Sequence, residues 1–221
     1  MRIAVLAVQG AFAEHIDKLN KLGADSLELR KEADLEQDFD GLILPGGEST
    51  VQTKLLRELH MFAPLRSRIR QGLPVLGTCA GLILLAQEIS GGHTCFGTLP
   101  VRVRRNAYGR QLGSFHTQQE FAGIGRVPMT FIRAPYIETV VEAAPYNRKT
   151  GNDDEAGCDI GESNHGRADN VEVLARVEDR IVAARFGKQI GVAFHPELDM
   201  DDRIHEMFLH MCERQAVMRM Q

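Results

Sequence analysis

The run Leu73-Pro74-Val75-Leu76-Gly77-Thr78-Cys79-Ala80-Gly81-Leu82-Ile83-Leu84-Leu85 restricts the fold of this chain more than any other stretch. It reads as a short buried strand, a tight turn with a cysteine set between two glycines, and a helix apolar on every side. A strand that feeds directly into a helix forces the turn residue into strained backbone geometry, and small neighbours let the two elements approach each other. Cys79 is thereby pushed beyond the strand end and over the positive end of the following helix, which favours thiolate over thiol. The G-x-C-x-G spacing alone leaves two readings open. One is a nucleophile; the other is a core cysteine, since free cysteines are among the most buried residue types.

The chain around this unit alternates strand and helix, the pattern of a mostly parallel sheet. A strand is expected over Arg2–Val8, then a helix from Glu14 to Leu22 with Ile16, Leu19 and Leu22 inward, a strand over Ser26–Arg30 and another over Asp40–Leu44. Next comes a helix carrying Val51, Leu55 and Leu59, with Ser49 or Thr50 as its cap, and a short helix from near Pro64. The helix after Cys79 is expected to run to Ser90-Gly91-Gly92, where the rhythm changes. Val171–Val177 and Arg180–Phe186 read as a hairpin, Ile190–Phe194 as an apolar strand, and a closing helix starts near Asp201 with Ile204, Met207, Phe208, Met211 and Cys212 at core spacing. His205 and His210 on that helix read as surface or packing residues, and Cys95 and Cys212 as inert. The expected fold is a single three-layer α/β domain spanning 1–221. Its central sheet is mixed but mostly parallel, flanked by helices, with antiparallel strands in the C-terminal half.

Size and charge agree with that class. A chain of 221 residues with 43% hydrophobic and 25% charged residues suits one domain with a sizeable core. With 26 basic against 30 acidic residues there is no basic excess to neutralise phosphates, so nucleic acid is not an expected partner. The opening strand lacks signal-peptide architecture, and no apolar run is long enough to span a bilayer. Cysteines at 79, 95, 158 and 212 show no C-x-x-C spacing, so neither a zinc site nor a disulfide framework is expected, and a reducing, cytoplasmic setting fits.

A nucleophilic cysteine needs a base, and the base an orienting group. The strand Ile190–Phe194 ends in His195-Pro196-Glu197, and in an open α/β sheet residues beyond the carboxyl ends of strands share one crevice with Cys79. The strand ending at Leu44 leads into Pro45-Gly46-Gly47-Glu48-Ser49-Thr50. A glycine turn with a helix cap explains the helix start but not two consecutive glycines before an acid. An oxyanion site does, with the backbone amides of Gly47 and Ala80 as the donor pair, each worth about 3–4 kcal/mol in comparable sites. In the arginine-rich run from Val101 to Gln111, Arg102 and Arg104 alternate with apolar residues as on a solvated edge. Arg105 lies off that alternation and can hold a carboxylate in two prongs. A second candidate arginine, Arg133, closes the strand from Met129.

Together the Cys79 turn and the His195-Pro196-Glu197 strand end resemble the class I (triad) glutamine amidotransferases. Further motifs narrow the resemblance to the glutaminase subunits of pyridoxal 5'-phosphate synthase: Leu44–Thr50, Gly77–Gly81, Arg104-Arg105-Asn106-Ala107-Tyr108-Gly109-Arg110-Gln111, Phe131–Pro135, Phe194–Glu197, and Val8-Gln9-Gly10-Ala11 with Glu14-His15. The resemblance places catalysis on Cys79, His195 and Glu197, and glutamine contacts on Gly47, Glu48, Ser49, Arg105, Ile132 and Arg133. It implies a synthase subunit as partner in a hetero-oligomer, to which ammonia from L-glutamine is delivered. Pyridoxal 5'-phosphate is then a product of the complex, and no cofactor or metal is expected on this chain. It also suggests weak activity in isolation, with the Gly46–Gly47 peptide reoriented on docking.

The polar stretch between Pro135 and Val171, roughly 142–169, departs from that family. Its acids, at Asn152–Asp159, lack EF-hand spacing and read as a solvated loop. Three rival readings are a histidine-pathway glutaminase subunit, a cysteine peptidase on the same fold, and a non-catalytic binding subunit. Glu48-Ser49-Thr50 with Arg105-Asn106 disfavours the first, the two candidate arginines the second, and the complete Cys-His-Glu set the third.

Overall fold

The computed structural model describes residues 1–105, 114–142 and 170–219. The expectations attached to 106–113, and the polar stretch from 143 to 169 with its acidic cluster and Cys158, lie outside the described residues.

The first half is a parallel α/β unit. In chain order it contains β1 (Arg2–Leu6), α1 (Phe12–Lys21), β2 (Asp25–Leu29), β3 (Gly41–Leu44), α2 (Ser49–Glu58), α3 (Phe62–Arg70), β4 (Val75–Thr78) and α4 (Ala80–Leu85). β1 pairs in parallel with both β2 and β3, and β3 with β4. The second half adds β5 (Ala86–Ile89), β6 (Leu99–Arg104), β7 (Ser114–Phe121), β8 (Gly125–Ile132), β9 (Tyr136–Val140), β10 (Glu172–Val177), β11 (Arg180–Phe186), β12 (Gln189–Val192) and α5 (Arg203–Arg219). β12 returns beside β4 in parallel, and from it the order continues β11, β10, β7, β8 by antiparallel pairings. β6 and β9 branch off through β11. The mixed sheet and the hairpin of β10 with β11 match the sequence reading.

β1 beyond Arg2, β3 and β4 are buried on both sides, because helices cover both faces, whereas the edge strand β2 buries only Leu29. Side chains alternate between faces along a strand, so Gly41 and Leu44 point to opposite sides of β3. A Cβ on Gly41 would meet Cys212 and Phe208 of α5, whereas Leu44 lies against Gly81 of α4. Hence α5 covers one face and α4 the other. Ile3, Ile43, Leu44, Leu76 and Val192 are fully or almost fully buried between them.

Four local expectations are corrected. The helix after Cys79 stops at Leu85, not Ser90. Ala86 turns extended, with ψ at 134°, and 86–89 joins β6 as a parallel strand. That stretch is apolar throughout its first half, so it carries no period to tell a buried strand from a buried helix. Neither Ser49 nor Thr50 caps α2. Glu48 occupies that position without a side-chain bond to the helix N–H groups, and its own N–H is taken by Gln9 Oε1 at 2.8 Å. α2 buries Ser49, Gln52 and Leu56 while Val51 is exposed, since Gln52 Nε2 must donate to the Gln9 and Pro45 carbonyls. Finally, α1 turns His15, Lys18 and Leu19 inward, with Ile16 and Leu22 only partly buried. His205, completely buried on α5, takes the packing alternative of its two readings.

Candidate active site

Sheet register brings the two halves of the site together. Thr78, the last residue of β4, lies opposite Val192, the last of β12, and the Cys79 N–H donates to the Val192 carbonyl at 2.8 Å. Cys79 and His195 therefore leave the carboxyl ends of neighbouring parallel strands one and three residues beyond a fixed pair. That is the crevice where open α/β sheets bind ligands.

The turn at Cys79 is held at φ 48° and ψ −98°, a region that L-residues with side chains rarely adopt. The flanking glycines are required by space. A Cβ on Gly77 would stand 2.7 Å from the Gly81 carbonyl carbon, and one on Gly81 would stand 2.0 Å from the Leu44 carbonyl oxygen. α4 lies directly on β3 and β4, and only glycines permit that approach. Cys79 is consequently buried, and it acts on His195 strongly enough to help raise that ring's pKa.

His195 is fixed from three sides. Its N–H donates to the Thr130 carbonyl of β8 at 2.8 Å, the preceding Phe194 packs on Phe131 at 5.6 Å between ring centroids, and its Nδ1 meets Glu197 Oε1 at 2.7 Å. β12 ends at Val192, and Pro196 starts a single 3₁₀ turn, Pro196–Leu198, which swings the Glu197 carboxylate back to the ring. Burial opposes a charge on this imidazole. Hydrogen bonds to Cys79 and Glu197, with the charges of both, outweigh it and raise the His195 pKa to about 10. The arrangement favours an imidazolium at His195, backed by the Glu197 carboxylate.

Gly46 closes over this group: a Cβ there would be 2.4 Å from His195 Cε1 and 3.4 Å from Cys79 Cβ. The loop is fastened from behind. The Ala11 N–H donates to the Gly46 carbonyl at 3.0 Å, and Gly10, at φ 106°, lies so close that any side chain would overlap that oxygen. Because the Gly46–Gly47 peptide is trans, the Gly47 N–H points opposite to that fastened carbonyl. Ala80 opens α4, where the first N–H groups have no intrahelical acceptor.

The substrate-contact candidates gather at the same rim. Arg105 Nη2 lies 3.3 Å from Glu48 Oε1, joining the residue after β6 to the glycine loop. Ser49 is buried as the first residue of α2. Ile132 ends β8 and Arg133 follows in the left-handed region at φ 44°, two and three residues past the Thr130 carbonyl that holds His195. By contrast Arg102 and Arg104 are spent on exposed ion pairs with Glu88 and Glu138, as their alternation suggested. Among the described residues no cluster of His, Cys, Asp or Glu could hold a metal ion, and no helix is long and apolar enough to cross a membrane.

Sequence reasoning missed residues behind the triad. His15 Nε2 lies 3.2 Å from Thr78 Oγ1 and 3.4 Å from Glu197 Oε2, while His15 Nδ1 meets His205 Nε2 at 2.9 Å. The signal was present: 15, 18, 19 and 22 share one helical face, and two of the four are polar. Lys18 from that face holds the chain after the triad, donating to the Asp199 carbonyl and, at 2.6 Å, to Asp202 Oδ1.

Comparison with known proteins places this geometry in context. A model of the SNO glutamine amidotransferase family matches residues 5–161. The chain is 56% identical over 210 residues to a pyridoxal 5'-phosphate synthase subunit PdxT of Desulfitobacterium hafniense, covering 95% of this chain and 92% of that protein. It is 49% identical over 211 residues to the protein of the same description from Methanocorpusculum labreanum, covering 96% and 97%. A crystal structure described as a glutamine amidotransferase superposes with a TM-score of 0.79 at 39% identity, covering 96% of this chain and 98% of the other.

Proposed function

The chain belongs to the SNO glutamine amidotransferase family, and on that premise we propose that Cys79, His195 and Glu197 hydrolyse L-glutamine to L-glutamate and ammonia for a pyridoxal 5'-phosphate synthase subunit. The Cys79 thiolate attacks the side-chain amide carbon. Charge building on the amide oxygen is met by the Gly47 and Ala80 N–H groups. His195 gives its proton to the departing ammonia, leaving a thioester on Cys79, and Glu197 keeps the ring oriented and supports its positive charge. Water, activated by the neutral ring, then cleaves the thioester to glutamate and restores the thiol. Arg105, paired with Glu48, presents its guanidinium to the α-carboxylate of the substrate, with Gly47, Ser49, Ile132 and Arg133 completing the cradle.

The observation that carries this reading is the convergence of a cysteine, an imidazole and a carboxylate at the ends of two adjacent parallel strands, with Cys79 and Glu197 both favouring a charged His195. Ammonia is a nucleophile only while unprotonated, so it is passed directly to a partner that consumes it. Coupling to that partner runs through the glycine loop: the Ala11–Gly46 bond is the one a reorientation of the Gly46–Gly47 peptide on docking would break.

The test measures glutamate release with and without the synthase subunit, for the native chain and for Cys79→Ala. Native protein should turn over slowly alone and much faster in the complex, while Cys79→Ala docks but releases no glutamate. Hydrolysis by Cys79→Ala would overturn the assignment, and equal native rates with and without the synthase would overturn the coupling.

A further inference from the structure

We infer that His15 is a positioning residue for this reaction, holding the Glu197 carboxylate in line with His195 from the side opposite the substrate. The inference rests on the triad assignment above. The Glu197 side chain is completely buried, and only one of its oxygens, Oε1, is engaged by His195. The other, Oε2, makes no hydrogen bond of ordinary geometry, and the polar group facing it is His15 Nε2 at 3.4 Å. A carboxylate fixed at one oxygen can still pivot about it. The second contact sets the angle.

The contact works only if His15 carries its proton on Nε2, and its other neighbour selects that tautomer. His15 Nδ1 and His205 Nε2 are 2.9 Å apart, so one of them donates. If His15 donated, its Nε2 lone pair would face the Glu197 carboxylate, and the buried, partnerless His205 Nδ1 would be an orphaned N–H. If His205 donates, His15 turns an N–H towards Thr78 and Glu197, and the orphan at His205 Nδ1 is a lone pair. Buried acceptors go unpaired more readily than buried N–H donors. Both arguments choose the second arrangement.

The groups facing His15 also keep it uncharged. Burial does most, any charge on His205 would add to it, and the charges of His195 and Lys18 act in the same direction, holding its pKa well below the usual histidine value. His205 is likewise kept neutral by burial and Lys18, with Asp202 opposing. A neutral donor suits the task. It anchors the carboxylate without placing a second cation near His195, so the imidazolium keeps the full benefit of Glu197.

The experiment compares His15→Gln and His15→Asn in the complete complex with the synthase subunit. Glutamine sets an amide N–H near the place of Nε2, whereas the shorter asparagine reaches only the place of Nδ1. We expect His15→Asn to lose about ten- to a hundredfold in kcat with KM for glutamine nearly unchanged. The basic limb of its kcat/KM profile should move to lower pH as His195 loses its aligned carboxylate. His15→Gln should recover most of both. Equal behaviour of the two variants would overturn the inference. Should neither variant fold, ring-nitrogen NMR of the native protein decides: a neutral His15 protonated at Nε2 supports the role, and one protonated at Nδ1 refutes it. Cys79→Ala in the same assay separates the layers. If it still hydrolyses glutamine the triad assignment fails. If it is inactive while His15→Asn matches native, only the role of His15 fails.

Discussion

Replacing Gly46 by alanine drives a methyl group into the His195 imidazole. Gly46 has no left-handed φ, so the backbone accepts alanine without strain, and the whole cost falls on what the new Cβ meets. It would stand 2.4 Å from His195 Cε1 and 2.9 Å from Nδ1, where ordinary contact begins at 3.4 Å. The ring must therefore retreat by about 1 Å, or the loop must lift by as much, and a displacement of that size costs about a hundredfold in rate, about 2.7 kcal/mol of barrier. The loop cannot lift freely, being fastened by Ala11 to the Gly46 carbonyl and by Gln9 to the Glu48 amide. Two assays read the effect: kcat for glutamate release in the complex, and the rate at which iodoacetamide alkylates Cys79 in the isolated chain, which needs no partner. Both should fall, while the melting temperature shifts by only a few degrees. A kcat within twofold of native, with unchanged alkylation, would refute the packing of Gly46 on the triad.

Other expectations follow from the same structure. Arg105→Ala should raise KM for glutamine about tenfold, about 1.4 kcal/mol of binding, with kcat little altered; steady-state kinetics in the complex check this, and a pure kcat effect would contradict it. His205, pressed to about 4 by burial and by Lys18, takes up its proton less readily folded than unfolded. Stability should therefore decline as pH falls from about 6.5 towards 4 and level off below, by at most about 3 kcal/mol. Denaturant unfolding against pH should show that loss in the native chain and its reduction in His205→Gln.

The parallel half of the fold was legible because β1, β3 and β4 are short apolar runs that each lead into a glycine-containing turn, while β2 (Asp25–Leu29) has the alternation of a half-exposed edge strand. The candidate triad was legible for a related reason: a cysteine between glycines and a histidine before proline are unusual ways to end strands. Periodicity failed where burial was complete. The chain changes from helix to strand at Ala86, still inside the apolar run Leu82–Ala86, and the pairing of 86–89 with β6 decides the change. It failed again on α1, where Ile16 and Leu22 drew the inward face one residue away from His15 and Lys18. Those two are buried because Glu197 and the chain from Asp199 to Asp202 wait for them across the fold, at sequence separations near 180. No local pattern carries that information. The same holds for Gln9, whose Oε1 accepts the Glu48 N–H, and for Gln52, whose amide donates to the Gln9 and Pro45 carbonyls.

The decisive measurement is peptide mass mapping after exposure to a glutamine-mimicking electrophile, on the native chain, Cys79→Ala and His195→Gln. If the sulfur at 79 is made an anion by its neighbour at 195, the native chain takes a single adduct on Cys79, Cys79→Ala takes none, and His195→Gln is labelled far more slowly. An adduct on Cys95 or Cys212 in place of Cys79, or undiminished labelling of His195→Gln, would contradict the account.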